Sequence, residues 1–170
     1  MQTTVKPVAT DYRFSKPNKE NGADVWTLVK STGVLDVNSS YSYVMWCEFF
    51  RETSVVVERD GRVVGFISGY IKPESPNILF IWQVAVDDTE RGQGLATKML
   101  RHLLERPVCE EVRYLEATVA PSNKASRKLF TRFADKMEAP CKVRDCFTAN
   151  DFPGEGHEDE PIYHIGPFNR

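Results

Sequence analysis

Long apolar runs are absent from this sequence. The best candidate, Ile78 to Val86, is only strand-sized and carries Gln83, so no segment is expected to cross a bilayer. The N-terminus has no basic head followed by an apolar core and does not read as a secretory signal. Positive charge is not in excess either. With 22 Lys and Arg against 24 Asp and Glu the net charge is -2, and no basic stripe stands out, which argues against a nucleic-acid partner. The four cysteines, Cys47, Cys109, Cys141 and Cys146, form no Cys-x-x-Cys pair and no Cys/His cluster at zinc spacing. They read as reduced thiols of a cytoplasmic protein that holds no metal.

What is present is globular material. A hydrophobic content of 41% over 170 residues suffices for one core, so a single domain over residues 1–170 is expected, with 1–10 as a loose leader. Tyr12 to Phe14 fits a short strand. A helical pattern starts at Asn21, turns Val25, Leu28 and Val29 to one face, and stops at Gly33. The polar loop 35–40 leads into a second helix, capped by its Asn or Ser residues, with Val44, Met45, Phe49 and Phe50 on the apolar side. A valine-rich strand from Ser54, the turn Asp60-Gly61 and a strand to Ile71 make a hairpin. Pro73 and Pro76 mark a loop. Ile78 to Val86 is apolar on both faces and belongs in mid-sheet, with Trp82, Val84 and Val86 sharing one face by alternation. A helix to Leu104 follows, with Leu95, Met99 and Leu103 on its inner face. Then come a strand at Val112 to Val119 and a helix from Asn123 to Met137 that turns Ala125, Leu129 and Phe133 inward. Short strand material from Cys141 and a closing strand at Ile162 to Ile165 complete an α/β layered domain with a mixed sheet.

The strongest local signal is Arg91-Gly92-Gln93-Gly94-Leu95-Ala96, set between the apolar strand and the amphipathic helix. The first turn of a helix leaves backbone N–H groups without intrahelical partners, at the positive end of the dipole. Glycines remove side chains that would keep a pyrophosphate from those groups, and Arg91 can add a charge-assisted contact. Alone, the stretch fits a phosphate cradle and a plain connecting turn equally well. A P-loop is excluded, because Gly-Lys-Ser/Thr is absent. A Rossmann unit is excluded because a hairpin precedes the motif.

Over residues 54 to 135 the pattern resembles the GNAT superfamily of N-acetyltransferases. The resemblance rests on the hairpin, the strand Leu79-Phe80-Ile81-Trp82-Gln83-Val84-Ala85-Val86, the Arg91–Ala96 loop, and Asn123-Lys124-Ala125-Ser126-Arg127-Lys128-Leu129-Phe130. It implies a mostly antiparallel central sheet flanked by helices, with acetyl-CoA as co-substrate. Val84 and Val86 would pair with its pantetheine arm, Arg91, Gly92, Gln93, Gly94, Leu95 and Ala96 would hold its pyrophosphate, and Asn123 would give a further contact. The flanks are similar to one family within it, the diaminobutyrate acetyltransferases of ectoine biosynthesis. That likeness lies in Leu35 to Tyr43, Cys47-Glu48, Trp82 to Val86, Glu116 to Asn123, and Phe152-Pro153-Gly154 with His157-Glu158, nearly the whole chain. It implies acetylation of the γ-amine of L-2,4-diaminobutyrate, by a cytosolic homodimer.

An acceptor with two amines and a carboxylate needs anionic groups for its α-ammonium and a base for its γ-nitrogen. Asp36 is a candidate ligand, or simply a helix cap. Glu116 and Thr118 lie two apart and share a strand face. A carboxylate in so apolar a strand requires a partner or a site. Trp82 reads as core by parity, and only the resemblance makes it a wall of the site beside Tyr41. Glu158 lies in an acidic run that is otherwise ordinary surface, where His157 is an exposed loop residue or a base. An alkyl amine of pKa about 10 must lose a proton before direct attack, and Glu116 and Glu158 are the candidate bases ahead of Asp36. A backbone N–H near Val84 would meet the oxyanion. One departure stands out. Many superfamily members place a tyrosine, the general acid for the leaving thiolate, where this chain has Phe130. That leaves open two other outcomes: a GNAT enzyme for another small amine, and a non-catalytic acyl-CoA-binding domain.

Overall fold

The computed structural model describes residues 11–169, so the leader expected at 1–10 lies outside the described residues. A short strand, β1 (Arg13–Ser15), leads to helix α1 (Gly22–Thr32), which ends where Gly33 takes a left-handed φ of 66°. Ser39, not Asp36, caps α2 (Ser40–Phe49), its side chain accepting from the Ser42 N–H. Asp60 and Gly61, at φ of 52° and 75°, fold β2 (Val55–Arg59) back as β3 (Arg62–Lys72). Strand β4 (Ser75–Val86), helix α3 (Leu95–Leu104), strand β5 (Tyr114–Thr118), helix α4 (Lys124–Lys136), strand β6 (Cys141–Phe147) and strand β7 (Glu160–Ile165) follow. The seven strands form one sheet in the order β1-β2-β3-β4-β5-β7-β6, antiparallel throughout except for β4 beside β5. This is the mixed, mostly antiparallel sheet that the resemblance implied.

Each sheet face has its own core. On one side Leu95, Met99 and Leu103 of α3, with Phe130 and Phe133 of α4, pack on Val57, Ile67, Leu79 and Leu115. On the other, Val25 and Val29 of α1 and Tyr43, Trp46 and Cys47 of α2 pack on Val56, Phe66 and Ala85. The apolar side expected for α2 is therefore wrong in part. Tyr43, Trp46 and Cys47 are its buried stripe, whereas Val44 and Phe49 are exposed. Apolar and aromatic residues fall on every side of this helix, so periodicity could not choose the face.

Two further expectations change, and a third gains a position in the sheet. Pro76 lies inside β4, not in a loop. It falls where the β3–β4 register skips from Ile71↔Leu79 to Lys72↔Ser75, and an irregular ladder tolerates the missing N–H. The closing strand expected at Ile162 to Ile165 is present, and it lies inside the sheet. The buried Ile162, Tyr163 and Ile165 place β7 inside, and the more exposed β6 is outermost. Trp82 does not share a face with Val84 and Val86. The register passes from Gly69↔Ile81 to Ser68↔Gln83, so Trp82 is an extra residue, and this bulge inverts the alternation. Trp82 stacks on Trp46 at 5.1 Å on the α2 side, while Val84 and Val86 pack on the α3–α4 side.

Candidate active site

Strands β4 and β5 pair only over Ile78–Phe80 with Tyr114–Glu116. Beyond Phe80 they part, and alternate N–H and C=O groups of β4 face the gap instead of a neighbouring strand. On the α3–α4 side the gap opens into a cavity of about 600 Å³, lined by Val84, Val86, Arg91, Gly92, Gly94, Leu95, Ala96 and Asn123, among others. Gly92 and Gly94 take φ of 79° and 69°, values that disfavour any side chain, and the space where a Cβ would stand is open. Gly94 is the N-cap of α3 and makes no side-chain cap, so the first-turn amides keep their hydrogen-bonding capacity for a ligand. Asn123 caps α4, its Oδ1 accepting from the Ser126 N–H at 3.1 Å. From there Lys128, Arg132 and Lys136, four residues apart, line the same cavity. Leu129 packs on the core as expected and also lines the cavity, Ala125, expected to turn inward, is exposed and lines it, and Phe130, Phe133 and Ala134 are buried. Backbone amides, a helix N-terminus and four cations, Arg91 among them, suit a large phosphorylated ligand.

The opposite face of the gap is polar and centred on Glu116. This carboxylate is fully buried and accepts from Lys72 Nζ at 2.6 Å and Arg144 Nη2 at 3.1 Å, with His164 Nδ1 at 2.7 Å. Burial works to raise its pKa, but the hydrogen bonds and charges of Lys72 and His164 outweigh it and hold the group below the ordinary glutamate range. Beside it, Phe80 contacts Tyr70, Tyr70 contacts Trp46, and Trp46 stacks on Trp82, forming an aromatic wall on the same face. Thr118 Oγ1 donates to Glu160 at 2.9 Å. Glu158 accepts from both the backbone N–H and the hydroxyl of Ser122, directly before Asn123. Burial pushes the Cys47 thiol up to about 12, so it is not a thiolate near neutral pH.

The family model for acetyltransferase (GNAT) proteins matches residues 23–134. The chain belongs to the GNAT acetyltransferase family. Within that family it is 55% identical over 154 residues to the L-2,4-diaminobutyric acid acetyltransferase of Virgibacillus pantothenticus, covering 91% of this chain and 97% of that one. It is 44% identical over 162 residues to the enzyme of the same name from Streptomyces coelicolor, covering 94% and 95%. Among solved structures it superposes on the diaminobutyrate acetyltransferase EctA from Paenibacillus lautus, in complex with L-2,4-diaminobutyric acid and coenzyme A, with a TM-score of 0.91 and 42% identity over 95% of this chain and 98% of that one.

In this GNAT enzyme the residues singled out for the cofactor come together in one cavity, except Gln93, which is exposed and does not line it. Those singled out for the acceptor are looser. Trp82, Glu116 and Thr118 share the open face, and Glu158 is tied to the turn before α4. Asp36 is exposed in the 34–39 loop, and Tyr41 is 73% exposed on the first turn of α2. Sequence reasoning missed Lys128, Arg132 and Lys136, although their spacing of four on a helix that follows Asn123 could have revealed them. It also missed Lys72, Arg144 and His164, for which no local signal exists, since three separate strands supply them.

Proposed function

We propose that this enzyme transfers the acetyl group of acetyl-CoA to the γ-amine of L-2,4-diaminobutyrate, giving N4-acetyl-diaminobutyrate on the route to the compatible solute ectoine. The observation that carries the reading is the match, over 95% of the chain, to an enzyme solved with that substrate and coenzyme A. The cavity supports it. The Gly92–Ala96 amides and Arg91 take the pyrophosphate, Gln93 contributing through its backbone alone. The gap-facing edge of β4 at Val84 and Val86 takes the pantetheine arm, and Asn123, Lys128, Arg132 and Lys136 complete the anionic contacts.

On the acceptor side, Asp36 and Glu158 supply negative charge for ammonium groups, with Trp82, Tyr41 and Thr118 as walls. Of the two candidate bases, Glu158 is the better. It is exposed and held by one serine, whereas Glu116 is enclosed by three basic groups and kept ionised by them. The freed γ-nitrogen attacks the thioester carbonyl directly. The C–N bond forms, an N–H near Val84 meets the oxyanion, and the C–S bond then breaks to release the thiolate. The buried, protonated Cys47 is no acyl carrier. Phe130 is core and has no hydroxyl to offer, so it is no general acid.

The same reading makes the protein one domain over residues 1–170 and a cytoplasmic homodimer. Exposed Val44 and Phe49 on α2, and Val143 and Phe147 on the edge strand β6, support a second copy as the cover for this apolar surface. Light scattering at micromolar concentration is expected to give twice the chain mass, and a monomer would refute the dimer. For the reaction, thiol release from acetyl-CoA is expected with L-2,4-diaminobutyrate and much less with ornithine or 2,3-diaminopropionate. Brisk turnover of another amine with none of diaminobutyrate would overturn the substrate and leave the fold intact.

A further inference from the structure

The bulge at Trp82 turns Gln83 toward α2, where it is buried. With the ladder broken there, the Gln83 backbone N–H donates to Ser68 Oγ at 3.2 Å. The side chain satisfies itself at both ends. Gln83 Oε1 accepts from Tyr43 Oη at 3.1 Å, and Nε2 donates to the Asp36 carbonyl at 2.9 Å. Tyr43 Oη in turn accepts from the Asn38 N–H at 3.3 Å. One amide thus ties the strand that borders the gap to helix α2 and, at two points, to the 34–39 loop.

That loop lies between the two compartments. Val34 and Leu35 line the cofactor cavity, and Asp36 follows immediately with its side chain exposed. The bond from Gln83 goes to the Asp36 backbone, so it leaves the Asp36 carboxylate available while fixing where it stands. A loop that carries a ligand needs such an anchor, because an unanchored segment spends ordering entropy each time it binds.

We infer that Gln83 is a positioning residue for the acceptor. Working with Tyr43, it holds the 34–39 loop so that Val34 and Leu35 close the cofactor cavity and Asp36 is presented to the acceptor ammonium. The inference rests on the diaminobutyrate reading for the identity of that ammonium. It makes Gln83 an adapter between strand and loop, with no contact to the reacting atoms.

The test is steady-state kinetics of Gln83→Leu, Tyr43→Phe and the double variant, with amide hydrogen exchange over residues 34–38. Gln83→Leu leaves the buried Tyr43 O–H without its acceptor and takes from the Asp36 carbonyl its shorter donor, and is expected to raise KM for diaminobutyrate roughly tenfold. The kcat should stay within about threefold, and KM for acetyl-CoA should change less than that for the acceptor. Exchange over 34–38 should quicken while α3 and α4 stay protected. Tyr43→Phe should do the same more weakly, and the double variant should add little to Gln83→Leu. A lowered melting temperature with an unchanged acceptor KM would overturn the inference, as would equal rises in both KM values. Should the wild-type enzyme fail to acetylate diaminobutyrate, the substrate reading falls by itself. Hydrogen exchange then decides on Gln83: unchanged protection over 34–38 refutes the anchor, and faster exchange upholds it.

Discussion

The cofactor cavity takes most of its lining from two short stretches, residues 84–97 and 123–136, whereas the opposite face is assembled from β3, β4, β5, β6, β7 and the 34–39 loop. The cavity offers mostly backbone groups: glycines at positive φ, the uncapped start of α3, and the unpaired edge of β4. The acceptor face offers side chains, and they hold one another. Lys72, Arg144 and His164 converge on Glu116, and Tyr43, with the backbone carbonyl of Asp36, on Gln83. Backbone recognition can be encoded by a few adjacent residues, since a turn and a helix start are local events. Recognition by mutually supporting side chains is a property of the sheet.

This contrast predicts that damage should segregate. The largest effect is expected for Glu116→Ala, which leaves Lys72 and His164 around an empty partner site. Unfolding free energy should fall by about 3 kcal/mol, at the low end for a broken buried pair because Lys72 and Arg144 can turn to water. Thermal denaturation checks this, and an unchanged melting temperature would show that the cluster is not a structural hub. A double Gly92→Val, Gly94→Val variant puts β-branched residues where φ is positive. It should weaken acetyl-CoA binding about a hundredfold and leave the melting temperature closer to wild type, because both residues are exposed. Calorimetric titration with coenzyme A measures it. An acceptor KM that rose by the same factor would blur the separation of the two regions.

Smaller effects sharpen the comparison. The Glu116 carboxyl is depressed in the folded enzyme, so its contribution to stability is fully present above the ordinary glutamate value and is lost as pH falls through the folded one. Melting temperature followed from pH 7 to 3 should therefore decline less steeply in Glu116→Gln than in wild type, measured from each protein's own neutral value. Smallest of all, Lys128→Ala, Arg132→Ala and Lys136→Ala should each raise KM for acetyl-CoA about threefold. The effect should shrink in high salt and leave the acceptor KM alone, since these are solvent-accessible charges.

Legibility follows the same division. The Asp60-Gly61 turn, the Gly33 stop, the start of a helix at Asn123 and the α3 stripe are all readable, because each depends on a few neighbouring residues. So was the glycine loop, which alone fits a cradle and a plain turn equally well and reads as a cradle only beside the strand before it and the Asn123 segment. The face of Trp82 was not readable, because one inserted residue in β4 reversed a pattern that alternation alone could not correct. The buried face of α2 is hidden because apolar and aromatic residues fall on every side of it. Glu116 illustrates the limit best. Its strand is legible, and so is its need for a partner or a site, but Lys72, Arg144 and His164 lie 44, 28 and 48 residues away in the chain.

A crystal structure of this enzyme with coenzyme A and L-2,4-diaminobutyrate tests the account most directly. The account predicts pyrophosphate on the Gly92–Ala96 amides and the γ-nitrogen at the β4–β5 gap near Val84. It also predicts the α-ammonium against acidic side chains on the Trp82 face, with Asp36 held by the Gln83 bond. Diaminobutyrate bound away from the gap, or with its α-nitrogen in place of its γ-nitrogen beside the thiol, would contradict it.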